Sequence, residues 1–267
     1  MALKDRLNAI TRPIQMIWLS IQLHYNAFKE ALRNEGVSSL MNPQRIRDAA
    51  TSTLFITHSH GFIAYENTTV VPSLVHAAHG KILELGPGPG NQIHRFDPSQ
   101  VDFIYAIDPN PCYGDEIAAR VKKLDLQDKY KLLACGVEDS DILIQEGITE
   151  GSMDTVLSIQ VLCAVGDVKS VMKAVWKLLK PGGYFIFWEH ERNKDTGTAL
   201  AQDIPKMRST IIAQLITMFV AMAVALPTSN DGFDRDTTEI EFEKRFSSPA
   251  EPIGVDSSGG IAIGGIL

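Results

Sequence analysis

The stretch from Lys81 to Asn91, K-I-L-E-L-G-P-G-P-G-N, constrains the fold of this chain more than any other. Its apolar residues predict a short buried strand that runs directly into a turn with three glycines, Gly86, Gly88 and Gly90. Glycine has no Cβ, so the backbone of such a turn can approach a ligand closely, while the intervening prolines keep the turn stiff. A second apolar run ends at Asp108, about twenty residues further on, and this pairing is typical of nucleoside-binding folds.

The rest of the pattern predicts strands that alternate with helices. Further strands are predicted over residues 104–108, 130–134, 153–158 and 184–188, with helices over 71–79, 113–126 and 168–179. This alternation predicts a Rossmann-like α/β fold, a doubly wound, mainly parallel sheet covered on both faces. Ligands of such sheets bind outside the carboxyl ends of the strands. One crevice should therefore collect the glycine turn, Asp108 and residues 136–138, 159–163 and 189–190.

The segment before this core is predicted to form an N-terminal helical extension. Apolar residues from Pro13 to Leu32 recur at helical spacing. This helix could lie on the domain, cover a substrate pocket or rest on a membrane surface. Residues 36–69 are predicted to be loops with one short helix, and His58-Ser59-His60-Gly61 to be a polar loop near the mouth of the site. The predicted division is a helical leader or lid over 1–69, a core over 70–205 and a divergent part over 206–267.

Composition narrows the possible partners. The net charge of the chain is −7 and no basic cluster is present, so nucleic acid is not an expected partner. Three scattered cysteines and an N-terminus without the apolar core of a signal peptide indicate a cytoplasmic enzyme. Neither C-x-x-C nor H-E-x-x-H spacing occurs, and His58 and His60 have no third ligand nearby, so no metal site is expected.

The glycine turn also restricts the kind of nucleoside ligand. A dinucleotide-binding turn expects its third glycine five residues after the first, where this chain has Asn91. The turn contains no basic residue that would help to neutralise a pyrophosphate. A sulfonium cofactor, which carries no phosphate, suits the site better, because Glu84 and Asp108 place negative charge near its cationic end and its ribose. The Asp108 carboxylate can accept hydrogen bonds from both ribose hydroxyls.

Four segments carry a resemblance to a known family: I-L-E-L-G-P-G-P-G-N, A-I-D-P-N-P, D-T-V-L-S-I-Q-V-L-C-A-V and L-L-K-P-G-G-Y-F-I-F-W-E-H. In this order and spacing, residues 80–191 resemble the class I S-adenosylmethionine-dependent methyltransferases. The likeness is strongest to the methyltransferase-11-type branch, with its thiol methyltransferase-like proteins and many fungal enzymes of specialised metabolism. The resemblance implies S-adenosyl-L-methionine as the cofactor and a small molecule, methylated on O, N or S, as the acceptor. Secondary-metabolite and mycotoxin biosynthesis are the expected settings.

The resemblance also implies roles for individual residues. Those that would shape the pocket for the methionine part of the cofactor are Glu84, Gly86, Gly88 and Gly90. Asp108 would hold the ribose, and the residues expected beside the adenine are Pro109, Asn110, Gly136, Val137 and Glu138. The residues expected under the cofactor after the fourth strand are Ile159, Gln160 and Val161.

Methyl transfer from a sulfonium is a direct displacement, so the enzyme chiefly has to align the reacting groups. A hydroxyl or thiol acceptor would gain from a general base, for which His190 is the candidate. Glu189 would orient His190 or bind substrate. The alternative that His190 only bonds to backbone at the end of a strand stays open.

The C-terminal part departs from the family. A class I methyltransferase normally continues with a helix, a strand and a closing antiparallel hairpin, and this hairpin is not recognisable after residue 206. Residues 209–226 lack charge but are only weakly apolar, which favours a buried or interface helix over a membrane span. One strand is expected over 237–246, and the Gly/Ser-rich residues 256–267 are expected to be a tail. Two functions remain: an active small-molecule methyltransferase, or a catalytically impaired cofactor-binding partner or scaffold subunit.

Overall fold

The structure is a computed structural model that describes residues 3–189. The helices are α1 (Leu3–Glu35), α2 (Pro43–Thr57), α3 (Ser59–Glu66), α4 (Val71–His76), α5 (Gly114–Lys123), α6 (Ser140–Gln145) and α7 (Val168–Leu178). The strands are β1 (Gly80–Leu85), β2 (Val101–Ile107), β3 (Tyr130–Leu133), β4 (Met153–Ile159) and β5 (Leu179–Trp188). Short 3-10 turns occupy Gly36–Met41, Ile93–Arg95 and Pro111–Tyr113. The compact unit that holds the sheet begins at Leu23, and residues 1–22 belong to a second unit.

The five strands form one sheet in the order β3-β2-β1-β4-β5, and every pairing is parallel. β1 lies in the centre, and its successive residues Ile82 and Leu83 are both fully buried, one in each of the two apolar cores that cover the sheet faces. Burial on both faces explains the continuous apolar run in the sequence. The order reverses between β1 and β4, which is where such sheets bind ligands. The predicted Rossmann-like parallel fold is confirmed.

The last described strand begins earlier than the sequence predicts. β5 starts at Leu179 rather than at Tyr184, so Pro181 and Gly182 lie within the strand instead of before it. The pairing between β4 and β5 shifts its register between Met153 and Thr155, opposite this segment. Within the described residues β5 pairs only with β4, and such an edge position tolerates a proline because one side of the strand needs no ladder hydrogen bond.

The prediction that residues 36–69 are mostly loops is wrong, because α2 and α3 occupy most of this segment. Pro43 begins α2, and the side chain of Asn42 accepts a hydrogen bond from the Arg45 backbone N–H at 3.2 Å, an ordinary helix start. The expected polar loop at His58-Ser59-His60-Gly61 is instead the beginning of α3, with Ser59 buried. Small alanine, serine and threonine residues in α2 weaken its apolar periodicity, so its helical character is not evident from pattern alone.

Several predictions fall outside the described residues. His190, the helix expected over 209–226, the strand over 237–246 and the tail over 256–267 all lie there. The division at residues 69 and 205 stays a prediction. Across residues 3–189, none of the helices has an apolar stretch long enough to cross a membrane.

Candidate functional site

A cavity of about 850 Å³ opens at the carboxyl ends of the strands. Its volume lies within the range of small-molecule and cofactor sites. One side, called the floor below, consists of the residues at the ends of β1 to β4, in the loops that follow them and in the first turn of α7. The other side, called the wall, consists of α2 and α3 residues between Gln44 and Glu66. The cavity therefore has a sheet-derived side and a helix-derived side.

The floor brings together most of the residues that the resemblance implies for cofactor binding. The predicted residues that line the cavity are Glu84, Gly86, Gly88, Asp108, Pro109, Asn110, Gly136, Val137, Glu138, Ile159, Gln160 and Val161. Gly90 and Glu189, although both are described, do not line it. The binding and catalytic roles themselves stay predictions.

Glycine is needed at the three positions of the turn for different structural reasons. Their φ angles are +54° at Gly86, +52° at Gly88 and +80° at Gly90, in the left-handed region that side chains rarely adopt. A Cβ at Gly86 would lie 2.8 Å from Val161 Cγ1, and one at Gly90 would lie 2.6 Å from Ile93 Cδ1. A Cβ at Gly88 would meet nothing within 4 Å. Packing therefore requires Gly86 and Gly90, whereas Gly88 leaves room for a ligand to approach the backbone.

Asp108 follows β2 and joins two loops of the floor. Its Oδ2 accepts a hydrogen bond from the Gly88 backbone N–H at 3.2 Å, and its Oδ1 accepts one from the Asn110 backbone N–H at 2.9 Å. Burial raises the pKa of Asp108; the two amide bonds oppose this rise, and the nearby charge of Asp48 adds to it. A carboxylate has about four acceptor positions. Asp108 can therefore hold both loops and still accept hydrogen bonds from ribose hydroxyls.

Glu84 is a buried carboxyl group at the centre of the floor. It is 2% exposed, and the Tyr130 hydroxyl donates a hydrogen bond to its Oε2 at 3.0 Å. Burial raises its pKa to about 7; the bond from Tyr130 opposes this rise, and the charges of Asp108 and Glu66 add to it. Burial, followed by the charge of Glu84, raises the pKa of Tyr130 well above its usual value. A cationic ligand would favour the ionised form of Glu84.

The turn after β4 has an unusual backbone that Glu189 holds in place. Gln160 has φ +58°, a left-handed conformation that costs a residue other than glycine about 1–2 kcal/mol. The Gln160 N–H donates to the Trp188 carbonyl at 2.8 Å. Oε1 of Glu189 accepts from the Ser158 hydroxyl at 2.7 Å and from the Val161 N–H at 2.9 Å. Glu189 therefore shapes the floor indirectly, because it does not line the cavity itself but holds the backbone that does.

The wall contains site residues that sequence reasoning missed. Phe55 of α2 and Phe62 of α3 line the cavity, and their ring centroids are 5.7 Å apart. The Asn110 side-chain amide donates to the Asp48 carbonyl oxygen at 2.9 Å, which ties α2 to the loop after β2. No local motif marks these residues. They reach the cavity only because α2 and α3, which are separate in sequence from the residues of the floor, pack against it.

The first residue of α3 is joined to the end of the glycine turn. The Ser59 hydroxyl donates to Asn91 Oδ1 at 2.5 Å, and Arg120 Nη2 of α5 donates to the Ser59 hydroxyl at 2.8 Å. Arg120 Nη1 also donates to Asn91 Oδ1 at 3.2 Å. Asn91, which in the sequence argues against a dinucleotide, thus fastens the turn to two helices.

The last residue of α3 is joined to the same segment by a buried ion pair. Glu66 Oε2 accepts hydrogen bonds from Arg95 Nη1 at 2.6 Å and from Gln92 Nε2 at 3.0 Å. Both charged side chains are 4% exposed. Arg95 Nη2 donates further to Asn67 Oδ1 at 2.8 Å. Both ends of α3 are therefore fixed to residues 91–95, directly after the glycine turn.

The charge of the cavity fits a cation. Its lining includes one basic residue, Arg47, and six acidic ones: Asp48, Glu66, Glu84, Asp108, Glu138 and Asp167. This excess, together with the space beside Gly88, suits a cofactor that carries an ammonium and a sulfonium group and no phosphate. For the chain as far as it is described, no group of three or more His, Cys, Asp or Glu side chains is placed to hold a metal ion.

A parallel sheet with this strand order, a glycine turn after β1 and an acid after β2 defines a nucleoside-cofactor-binding protein of the Rossmann-like class. The profile of a family described as methyltransferase domain matches residues 60–233, more than half of the 267 residues. The chain therefore belongs to this family, within the class I methyltransferases, and S-adenosylmethionine is its cofactor. The resemblance found in the sequence is confirmed.

Individual relatives agree with this assignment over part of the chain. Human thiol S-methyltransferase TMT1B is 34% identical over 116 residues, which are 42% of this chain and 44% of that protein. The polyketide synthase ACTTS3 of Alternaria alternata is 29% identical over 46% of this chain and 5% of its own length. The chain thus spans less than half the length of the thiol methyltransferase.

Among solved structures, the N-methyltransferase NodS from Bradyrhizobium japonicum, in complex with S-adenosylhomocysteine, is 19% identical. It covers 47% of this chain and 61% of its own, with a TM-score of 0.38. Similarity at this level adds nothing to the assignment.

Proposed function

We propose that the protein transfers the methyl group of S-adenosylmethionine to an oxygen, nitrogen or sulfur atom of a small molecule. The observation that carries this proposal is the acidic cavity at the switch point of the sheet. There the glycine turn and Asp108 face an aromatic wall. The cavity combines polar groups for a nucleoside and a cation with apolar surface for an acceptor.

The residues of the floor would hold the cofactor, which when bound supplies a methyl group made electrophilic by the sulfonium. Asp108 accepts hydrogen bonds from the ribose, and Glu84 contributes negative charge beneath the turn. Gly88 allows close approach of the backbone. Phe55 and Phe62 give the acceptor side apolar surface, which favours a displacement whose charge is dispersed in the transition state. Correct alignment of the reacting groups can supply roughly 7–11 kcal/mol of the barrier.

A thiol is the first acceptor to test, because TMT1B, which is 34% identical over the part that matches, is named a thiol S-methyltransferase. The apolar side chains of Phe55, Phe62 and Val165 in the cavity lining suit a lipophilic acceptor. We assign His190 the role of general base for a thiol or hydroxyl. Glu189 would position the turn after β4. Cytoplasmic location and a part in secondary-metabolite or mycotoxin biosynthesis are further predictions.

Calorimetry with S-adenosylmethionine and S-adenosylhomocysteine tests the first requirement of this function. Both should bind, and failure of both at millimolar concentration would refute it. Asp108→Ala should weaken binding by about 1–3 kcal/mol through loss of its hydrogen bonds. An unchanged affinity would contradict the role of Asp108.

Turnover with matched thiol, amine and hydroxyl acceptors then identifies the nucleophile. Binding without turnover on any of the three would favour the alternative of a cofactor-binding partner subunit.

A further inference from the structure

Glu66 is a nearly buried carboxylate that belongs to none of the predicted motifs and yet lines the cavity. It is the last residue of α3, and 3% of its surface is exposed. Charged side chains are rarely buried to this extent unless they are paired. Arg95 provides such a pair, but its bond accounts for one carboxylate oxygen alone.

The two oxygens of Glu66 have different surroundings. Oε2 accepts both hydrogen bonds, from Arg95 and from Gln92. Oε1 has no hydrogen-bond partner in the part of the chain that the structure describes. Oε1 is not fully enclosed by the protein. It therefore keeps some accessible surface, and it belongs to a residue that lines the cavity. The donors on Oε2 fix the side chain and leave Oε1 available to a ligand.

Nearby charges indicate what kind of ligand group would bind there. Glu66 and Glu84 both line the cavity, and the negative charge of Glu66 contributes to the raised pKa of Glu84, so both add to the negative potential that a bound cation would meet. Gln92 and Arg95 attach Glu66 to the segment that directly follows the glycine turn. The glycine turn itself is the part of the floor assigned to the methionine end of the cofactor. That end carries an α-ammonium group.

We propose that Glu66 Oε1 binds the α-ammonium group of the cofactor, so that α3 recognises the amino-acid part while Asp108 recognises the ribose. This inference rests on the proposed function, because it presupposes that S-adenosylmethionine occupies the cavity. A hydrogen bond between a carboxylate and an ammonium group is charge-assisted and roughly twice as strong as a neutral one. The ion pair with Arg95 orients Glu66 for this contact.

The test compares two ligands on two proteins by calorimetry. S-adenosylhomocysteine has the ammonium group but no sulfonium, and 5′-methylthioadenosine lacks the amino-acid part altogether. Glu66→Gln should weaken binding of S-adenosylhomocysteine about tenfold or more and leave binding of methylthioadenosine within about twofold of the wild type. A residue that only supports the fold would weaken both ligands equally.

Glu66→Gln leaves Arg95 without its carboxylate partner, so a second variant protects the test against misfolding. Glu66→Asp keeps the charge beside Arg95 and withdraws the carboxylate by one methylene group. It should show the same selective loss for S-adenosylhomocysteine, but a smaller one. Equal losses for both ligands, or no loss for either, would overturn the role of Glu66 and leave the proposed function standing. A wild-type protein that binds neither ligand would overturn both.

Discussion

The floor and the wall of the cavity are built by different means. The floor is made of backbone turns at strand ends, where the left-handed Gly86 and Gly88 and the amide bonds to Asp108 determine the shape. The wall is made of helix side chains, and buried polar contacts at Ser59 and Glu66 fix its position. The floor therefore depends on conformation within one short stretch, whereas the wall depends on pairs of residues that are distant in sequence.

This difference indicates how each side responds to change. A turn held by its own backbone is sensitive to an added methyl group. A helix held by ion pairs and hydrogen bonds tolerates changes of shape but is sensitive to loss of a charge or a hydroxyl group. Four experiments test how the two sides differ.

The largest expected effect concerns the attachment of the wall and comes from Arg95→Met, because Arg95 pairs with Glu66 at the end of α3. Removal of the guanidinium leaves Glu66 buried without its partner, which typically costs about 3–5 kcal/mol of unfolding free energy. The matched control is Lys131→Met, which removes the cation of the exposed Lys131–Glu146 pair and should cost no more than about 1 kcal/mol. Urea unfolding measures both. Equal losses in the two variants would show that burial of the pair is unimportant.

In the floor, Gly86→Ala and Gly88→Ala should differ although they create the same residue at the same kind of backbone. Each incurs about 1–2 kcal/mol for the left-handed conformation. The new Cβ at Gly86 also meets both methyl groups of Val161, at 2.8 and 2.9 Å, which adds about 1–3 kcal/mol. The loss of unfolding free energy should therefore be clearly larger for Gly86→Ala. Gly88→Ala should lose S-adenosylhomocysteine binding, and its stability should fall only by the amount due to the left-handed conformation.

The electrostatics of the floor predict a pH dependence that Glu84→Gln removes. Between pH 4.5 and about 7 the folded state keeps a proton on Glu84 that the unfolded state has lost, so stability falls as pH rises through this window. Gln cannot titrate, yet its side-chain oxygen can still accept the bond from Tyr130. From pH 5 to 8, Glu84→Gln should gain up to about 3 kcal/mol relative to the wild type. Urea unfolding at each pH measures this difference. If the unfolding free energies of the wild type and Glu84→Gln change in parallel with pH, the pKa of Glu84 is not raised by burial.

The smallest expected effect tests the link between the two sides. Ser59→Ala removes the hydroxyl that joins α3 to Asn91 and should lower the unfolding free energy by about 1–2 kcal/mol. Because the glycine turn loses a fastening, binding of S-adenosylhomocysteine should weaken as well. Ser52→Ala is the control, since this equally buried hydroxyl bonds only to Ala49 within its own helix. If both variants bind the ligand like the wild type, the two sides are independent.

The same contrast explains what could be predicted from the sequence. The positions of the strands and of Glu84 and Asp108 at their ends follow from apolar runs that end at turns, because each signal lies within a few adjacent residues. The wall could not be found in this way, because Ser59 and Glu66 acquire their roles only when the fold brings Asn91 and Arg95 to them. In hindsight, the sequence offers only two polar residues, Ser59 and Glu66, at the ends of one short helix, and their burial is visible only in the structure.

The left-handed backbone at Gln160 also has a consequence for protein engineering. A side chain in left-handed backbone is a standing loss of stability that Gly or Asn at the same position would recover. Such positions are where protein engineers look for stabilising substitutions, and they are also where a gain in stability most often impairs activity. A stabilised version of this protein is best sought on the surface far from β4, with Gln160 left as it is.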